Sequence, residues 1–321
     1  MKLFICNTSA LEYLRKTQAA TILAKKRLTA VRLPFEHPGP DELSEVDTRG
    51  LELQLHVLVG ENTSIQTAKI HSHSCSLELP PGSFIRIDDQ FAVSSPELCY
   101  LQMANVLSLP ELVALGYELC GSYRKYKKPD SDRGFEQDLP LTSVAKLSAF
   151  LTKTTGMNGH KKATKALRYI VARSASPMET AVSILLTLPF RLGGFNLPLP
   201  MLNISVSLAL GVKWPKGIPE YRGDLCWPQG LAILEYNSDA YHLEQPQIKR
   251  DTIRRNYLTS IGVSVITVTR GQINRTDEFQ SIAEELSRLL GRRLRYPLPE
   301  FKARQAQLRS IILPKLSAGR E

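Results

Sequence analysis

Two carboxylates, Asp224 and Glu235, carry the clearest chemical potential in this 321-residue sequence. Each stands on a short segment that reads as a strand. Residues 222–227 alternate and stop at Pro228, Pro228-Gln229-Gly230 reads as a turn, and residues 231–236 form an apolar run that closes on the acid. Such a hairpin brings the two acids side by side on one face. Two like charges about 4 Å apart repel by about 4 kcal/mol at an effective dielectric near 20. A chain keeps that pair if a cation lies between the carboxylates or if one of them stays protonated. Mg²⁺ suits such a pair, because it takes carboxylates together with several waters. The plainer alternative is that Asp224 caps a turn and Glu235 is a solvated strand end.

The elements that position these acids follow directly. Residues 248–261 are polar and basic, with Ile253, Tyr257, Leu258 and Ile261 at helical spacing, and Gly262 stops them. Residues 263–268 then read as a third strand. A hairpin, a helix and a parallel strand make an α/β core, joined by a strand at 202–207 and a helix over 177–191 with Ser176 as its cap and Pro177 in its first turn. An amphipathic helix is expected over 276–290. Lys249 and Arg254 are candidates for phosphate contacts, while Asp251 reads as a helix anchor paired with Arg254 or Arg255.

Upstream, residues 1–120 read as an α+β domain. A helix is expected from Ser9 to about Lys26, with Ser9 and Glu12 at capping-box spacing. Strands are expected at 51–59, 65–71 and 84–87, and helices at 98–106 and 110–119, with Ser95 capping the first of these. His71, His73 and Cys75 alternate, so a strand would put them on one face as metal ligands or merely as neighbours. Residues 121–173 change character. They hold 12 Lys/Arg against 4 Asp/Glu, whereas residues 1–120 hold 10 against 14, so the basic charge begins here. The run Arg124-Lys125-Tyr126-Lys127-Lys128 sits at its start, and helices are expected at 143–154 and 161–173. Lys125, Lys127 and Lys128 are candidate nucleic-acid contacts, with Tyr123 and Tyr126 available to stack on single-stranded bases; a solvated basic face is the alternative.

The formal net charge is +10, and the charge is placed unevenly. Residues 174–240 carry net −1, while 241–321 carry 15 Lys/Arg against 8 Asp/Glu. Cations thus flank a mildly acidic segment, which favours a polyanionic partner such as DNA. The five cysteines are odd in number and widely spaced without a C-x-x-C pair, which reads as reduced thiols in a cytoplasm. No apolar run approaches a membrane span, and the basic and acidic residues near the N-terminus are unlike a signal peptide.

The residues Asp224, Trp227-Pro228, Leu231-Ala232-Ile233, Glu235, His242, Asp251, Arg254, Leu258, Gly262, Val265 and Thr269 resemble, in order and spacing, the core of the PD-(D/E)XK nuclease superfamily, in particular its Vsr-like endonuclease domain. The resemblance covers residues 174–292. It implies a restriction-endonuclease-like core, a mixed sheet flanked by helices, with Mg²⁺ (Mn²⁺ as a substitute) held by Asp224 and Glu235. Glu179, on the leading helix, would be a third carboxylate, as an acid there often is in the superfamily; an acid in a first turn also simply favours the helix dipole. Where relatives carry Asp or Lys this chain has Asn237, so proton removal would fall to His242, whose intrinsic pKa is suitable, or to the metal. The segments Val93–Ala104 and Gly116–Gly121 resemble the linking region of bacterial proteins that pair an AbiEi-like antitoxin module with a Vsr-like domain, which would make a cognate toxin or antitoxin a partner.

These readings give four parts: 1–120, an α+β N-terminal domain; 121–173, a basic helical linker; 174–292, the nuclease-like domain; and 293–321, a basic tail. The expected function is Mg²⁺-dependent DNA cleavage or nicking, in phage defence, a toxin–antitoxin system or DNA repair. The alternative is a nucleic-acid-binding or regulatory module on a nuclease fold that lost its chemistry.

Overall fold

The structure is a computed structural model that describes residues 3–35, 50–52, 54–60, 65–126, 134–216, 220–237, 245–296 and 300–313. The chain divides into two compact units, Met1–Ile170 and Val171–Glu321, each a mixture of helices and mixed sheet. Among the described residues, no helix is long and apolar enough to cross a membrane.

The first unit runs β1 (Leu3–Ile5), α1 (Asn7–Lys16), α2 (Ala19–Leu23), β2 (Leu55–Val59), β3 (Ile70–Ser74), β4 (Phe84–Arg86), β5 (Phe91–Ser94), α3 (Pro96–Met103), α4 (Leu109–Leu119), β6 (Tyr123–Arg124), β7 (Glu136–Gln137), α5 (Val144–Thr152) and α6 (His160–Leu167). Five strands form one sheet in the order β3-β2-β1-β5-β4. The outer pairs β2/β3 and β4/β5 are parallel and antiparallel respectively, and β1 joins β2 antiparallel and β5 parallel. β1 and β5 are short, buried runs without alternation, which is why periodicity does not expose them. Ser95 caps α3 as expected, its Oγ accepting the Leu98 N–H at 3.3 Å. Ser9 does not cap α1. It lies inside the helix, and its Oγ accepts the His56 N–H at 3.0 Å, so the hydroxyl ties α1 to β2 instead.

Residues 121–170 belong to this unit and are not a linker. At Gly116 of α4, an added Cβ would lie 2.1 Å from Ile170 Cδ1, so the absence of a side chain is what lets residue 170 close onto α4. Tyr100 donates its hydroxyl to the Ala163 carbonyl (3.2 Å), and Lys162 Nζ reaches the Leu107 carbonyl (2.9 Å). The basic run is also partly spent on structure. Arg124 is buried, pairs with Asp138 at 3.0 Å and donates to the Arg15 carbonyl at 2.6 Å. Tyr123 is fully buried, which removes it as a stacking platform; Tyr126 lies under the Arg124 guanidinium at 4.8 Å.

The second unit runs α7 (Pro177–Thr187), β8 (Met201–Ser205), α8 (Val206–Leu210), β9 (Arg222–Trp227), β10 (Ala232–Asn237), α9 (Gln245–Ser260), β11 (Ser264–Thr269), α10 (Arg270–Asn274), α11 (Thr276–Leu289) and α12 (Phe301–Ile312). Its sheet has the order β11-β10-β9-β8. β8, β9 and β10 are antiparallel neighbours, and β11 lies parallel to β10 after the α9 crossover. Cys226 and Ile233 of the sheet pack with Leu258 of α9, Val263, Val206 and Tyr221. The strand expected to reach residue 207 stops at Ser205, because the Val206 N–H turns to the Tyr221 carbonyl (2.8 Å) and Val206 enters that core.

The C-terminal segment beyond residue 292 holds a helix rather than only a basic tail. α12 lies against the turn that ends the α7 segment: a Cβ on Gly193, which has φ +87°, would sit 2.3 Å from the Arg304 carbonyl oxygen. Phe301 stacks on Tyr296 (4.9 Å between ring centres) and meets Phe195 edge-on (5.7 Å).

Candidate active site

The acids of the β9–β10 hairpin sit where the ladder between those strands stops. Pairing runs through Ala232↔Trp227, Ile233↔Cys226 and Leu234↔Leu225. One step further, side chains replace the main chain. The Tyr236 N–H donates to Asp224 Oδ2 at 2.8 Å, and the Asp224 N–H donates to Glu235 Oε1 at 3.3 Å. Each carboxylate is therefore held by the backbone of the other acid's neighbourhood, and the hairpin brings the two together as its sequence implied.

Glu179 enters from the first turn of α7. Ser176 Oγ accepts its N–H (3.2 Å) and donates to its Oε1 (3.0 Å). Its Oε2 accepts from the Ala175 N–H (2.8 Å) and from Asn203 Nδ2 (2.6 Å). Three donors fill most of the roughly four lone-pair directions of a carboxylate. Glu179 thus serves the helix start and the site at once, and has little left for a direct metal bond.

Asn203 escaped the sequence reading, and no spacing rule marks it. It lies between Leu202 and Ile204, which pair with Leu225 and Gly223, so the register sets it opposite Asp224. Its φ is +45°, and Arg173, whose carbonyl accepts its Nδ2 at 2.8 Å, has φ +74°. Left-handed backbone at residues other than glycine costs on the order of 1–3 kcal/mol each and persists where surrounding structure imposes it. Here it aims one amide at both Arg173 and Glu179. Tyr221 was also missed as a site residue. It is a buried residue immediately before β9, and its hydroxyl hydrogen-bonds Glu235.

The electrostatics are those of crowded acids. Asp224 is pushed up to about 8, first by burial, then by Glu235 and Glu179, with the Tyr236 N–H opposing. Glu235 is raised by burial and by Glu179; Tyr221, the Asp224 N–H and Arg254 oppose this. Burial also raises Glu179 above the ordinary carboxylate range, against its three donors. Arg254 lies half-buried on α9, its guanidinium 4.1 Å from the centre of the Tyr221 ring. It tempers the acids without matching their number. Hard oxygen donors with unmet negative charge fit a hard divalent cation such as Mg²⁺ or Mn²⁺.

The other expected residues fall as follows. Asn237 is exposed at the end of β10, opposite Thr269 of β11. His242, Lys127 and Lys128 lie outside the described residues, as does the side chain of Lys249 in α9. Lys125 is exposed on the first unit, its N–H donated to Glu118 at 2.9 Å.

A stability prediction follows from the raised Asp224. Its folded pKa of about 8 lies above the ordinary 3.8, so the unfolded chain loses that proton first as pH rises. Between those two values the native state binds the extra proton, and stability falls with rising pH. In the presence of a chelator, the thermal midpoint of the full chain should therefore drop between pH 5 and pH 8, and Asp224→Asn should flatten the drop and raise the midpoint at pH 8. Each kcal/mol gained moves the midpoint by about 2–4 °C. A variant with a midpoint below that of the parent at pH 8 would show that Asp224 is held by favourable partners and not crowded by like charge.

No family model, no curated protein and no solved structure matches the chain.

Proposed function

We propose that the second unit is a divalent-cation-dependent nuclease that hydrolyses or nicks phosphodiester bonds of DNA, on a restriction-endonuclease-like core. The observation that supports this reading is the convergence of Asp224, Glu235 and Glu179 from two strands and a helix start: burial raises the pKa of all three, Glu235 and Glu179 raise Asp224 further, and Glu179 raises Glu235 further. Acids kept at that cost have a use, since perturbed groups clustered in one place mark functional sites.

In this reading Asp224 and Glu235 hold the cation, and Glu179 acts through a water because its own lone pairs are largely taken. The cation, once bound, supplies Lewis-acid stabilisation of phosphoryl charge and a more acidic water. Asn203 fixes Glu179, and Tyr221 fixes Glu235. Arg254, beside the pair, is placed to meet a phosphate oxygen; Lys249 on the same helix is its expected companion. Proton removal is the weak point, because Asn237 is no base; His242 is the remaining side-chain candidate. Exposed Arg255, Arg288, Arg292, Arg293 and Arg295 on this unit, and Lys161, Lys165 and Arg168 on the first, supply cations for backbone phosphates.

Asn237 favours a second reading, a nucleic-acid-binding module that kept the acids and lost the rate. One experiment separates the two. Supercoiled, linear and single-stranded DNA are incubated with the full chain in EDTA, Mg²⁺ or Mn²⁺, while calorimetry follows Mn²⁺ binding to the parent and to Asp224→Ala. The nuclease reading expects slow nicking, faster with Mn²⁺ because N/O sites bind it more tightly, and one Mn²⁺ equivalent lost in Asp224→Ala. DNA binding with no cleavage under either cation leaves the binding-module reading.

A further inference from the structure

We propose that His56, His71 and His73 form a three-imidazole site for a first-row transition-metal dication, zinc foremost, on the β2–β3 edge of the first unit's sheet. The site is separate from the carboxylates of the second unit and does not depend on the nuclease reading. β3 is the edge strand, and the parallel register sets His56 of β2 directly beside His71. His73, two residues along β3, shares the face of His71. One ligand atom from each of the three rings can be chosen so that all lie within 4.8 Å of one another. The rings stack with centres 4.4 Å apart for His71 and His73, 4.9 Å for His56 and His71, and 5.0 Å for His56 and His73.

In sequence the alternating His71, His73 and Cys75 read as ligands on one strand or merely as neighbours. Cys75 is not in the group: its Sγ donates to the Leu77 carbonyl at 3.5 Å. The third ligand is His56, contributed by a strand that only the fold brings alongside. What distinguishes this cluster from histidines that merely neighbour one another is where their nitrogens point. His56 Nδ1 and His73 Nε2 are 2.9 Å apart, so at most one of the two carries a proton. Among the described residues, no carboxylate or backbone carbonyl hydrogen-bonds any of the three rings. Neutral imidazoles with converging lone pairs are the form a metal takes.

The donor type fixes the ion class. Imidazole nitrogen suits zinc, copper, nickel and cobalt, whereas Mg²⁺ prefers carboxylate and water oxygen. Three protein ligands leave a fourth tetrahedral position for solvent. All three rings are half-buried, and His56 also lines a cleft of about 330 Å³ with Glu12, Glu52 and Gln54, which gives an ion a way in.

The test is zinc titration of the full chain by calorimetry with Mg²⁺ in excess, so that the oxygen site is occupied. One zinc equivalent is expected. His56→Gln and His71→Gln should each weaken it by more than about 10-fold, the loss typical of removing only an outer-shell partner, while Asp224→Asn leaves it unchanged. No saturable zinc binding in the parent, undiminished binding in both glutamine variants, or loss in Asp224→Asn alone overturns the proposal. Because a variant can fail to fold, the parent is also treated with diethyl pyrocarbonate with and without zinc. Mass spectrometry should show His56, His71 and His73 protected together by zinc, and a lack of protection overturns the proposal without any variant.

Discussion

Glu235→Ala is expected to remove cation-dependent cleavage of plasmid DNA by at least about 10³-fold, the upper range for losing one pre-organised electrostatic group, with DNA affinity in EDTA unchanged within about twofold. The size follows from geometry. Glu235 is one of two acids that face each other across the end of the β9–β10 ladder, and it is the one tied to both the Asp224 N–H and the Tyr221 hydroxyl. Glu179 cannot replace it, since three donors already occupy its carboxylate. The fold should survive, because deleting one of several crowded, buried carboxylates relieves like-charge repulsion on Asp224. Loss of activity with an unchanged or higher thermal midpoint is therefore the signature of a chemical role. Loss of activity with a collapsed midpoint would assign Glu235 to structure, and retained activity would end the nuclease reading.

What the sequence made legible, and what it hid, divides along the range of the interactions. β9 begins and ends where its alternation does, at Arg222 and Trp227. β10 begins at Ala232, one residue later than the apolar run, because Leu231 takes a left-handed φ of +44° to leave the Pro228–Gly230 turn. These are local effects, and turn chemistry announces them. The pairing of Asp224 with Glu235 was also local, because a hairpin with a short turn allows few registers. Asn203 and Tyr221 were hidden because their roles depend on contacts made only after folding, with Glu179 and Glu235. His56 was hidden for the same reason: it joins His71 only through a parallel register, which no turn dictates. The packing of Ile170 onto α4 turned on one glycine, Gly116, whose effect is visible only once Ile170 is seen to fill its place. Charge counting failed at Arg124 for a related reason, since a basic run does not reveal which member finds a buried partner such as Asp138.

Asn237→Asp is expected to raise the Mn²⁺-dependent nicking rate by about 10²-fold, the lower end of what general-base help supplies. Residue 237 continues the regular β10–β11 register, Asn237 opposite Thr269 and Glu235 opposite Thr267. Successive side chains of a strand alternate in face, so residue 237 shares the face of Glu235. The native amide can orient a water through hydrogen bonds but cannot accept its proton; a carboxylate at the same position can. The position is exposed, so the added charge is screened and the thermal midpoint should hardly move. The change should therefore appear in rate and not in fold. Measured as initial nicking rates of supercoiled plasmid at matched Mn²⁺ occupancy, a gain identifies a cation site that is assembled and lacks only its base. Unchanged DNA binding and Mn²⁺ binding with no gain in rate would mean that the acids hold a cation without presenting it to a phosphate. The second unit would then be a DNA-binding body whose charge pattern outlasted its chemistry.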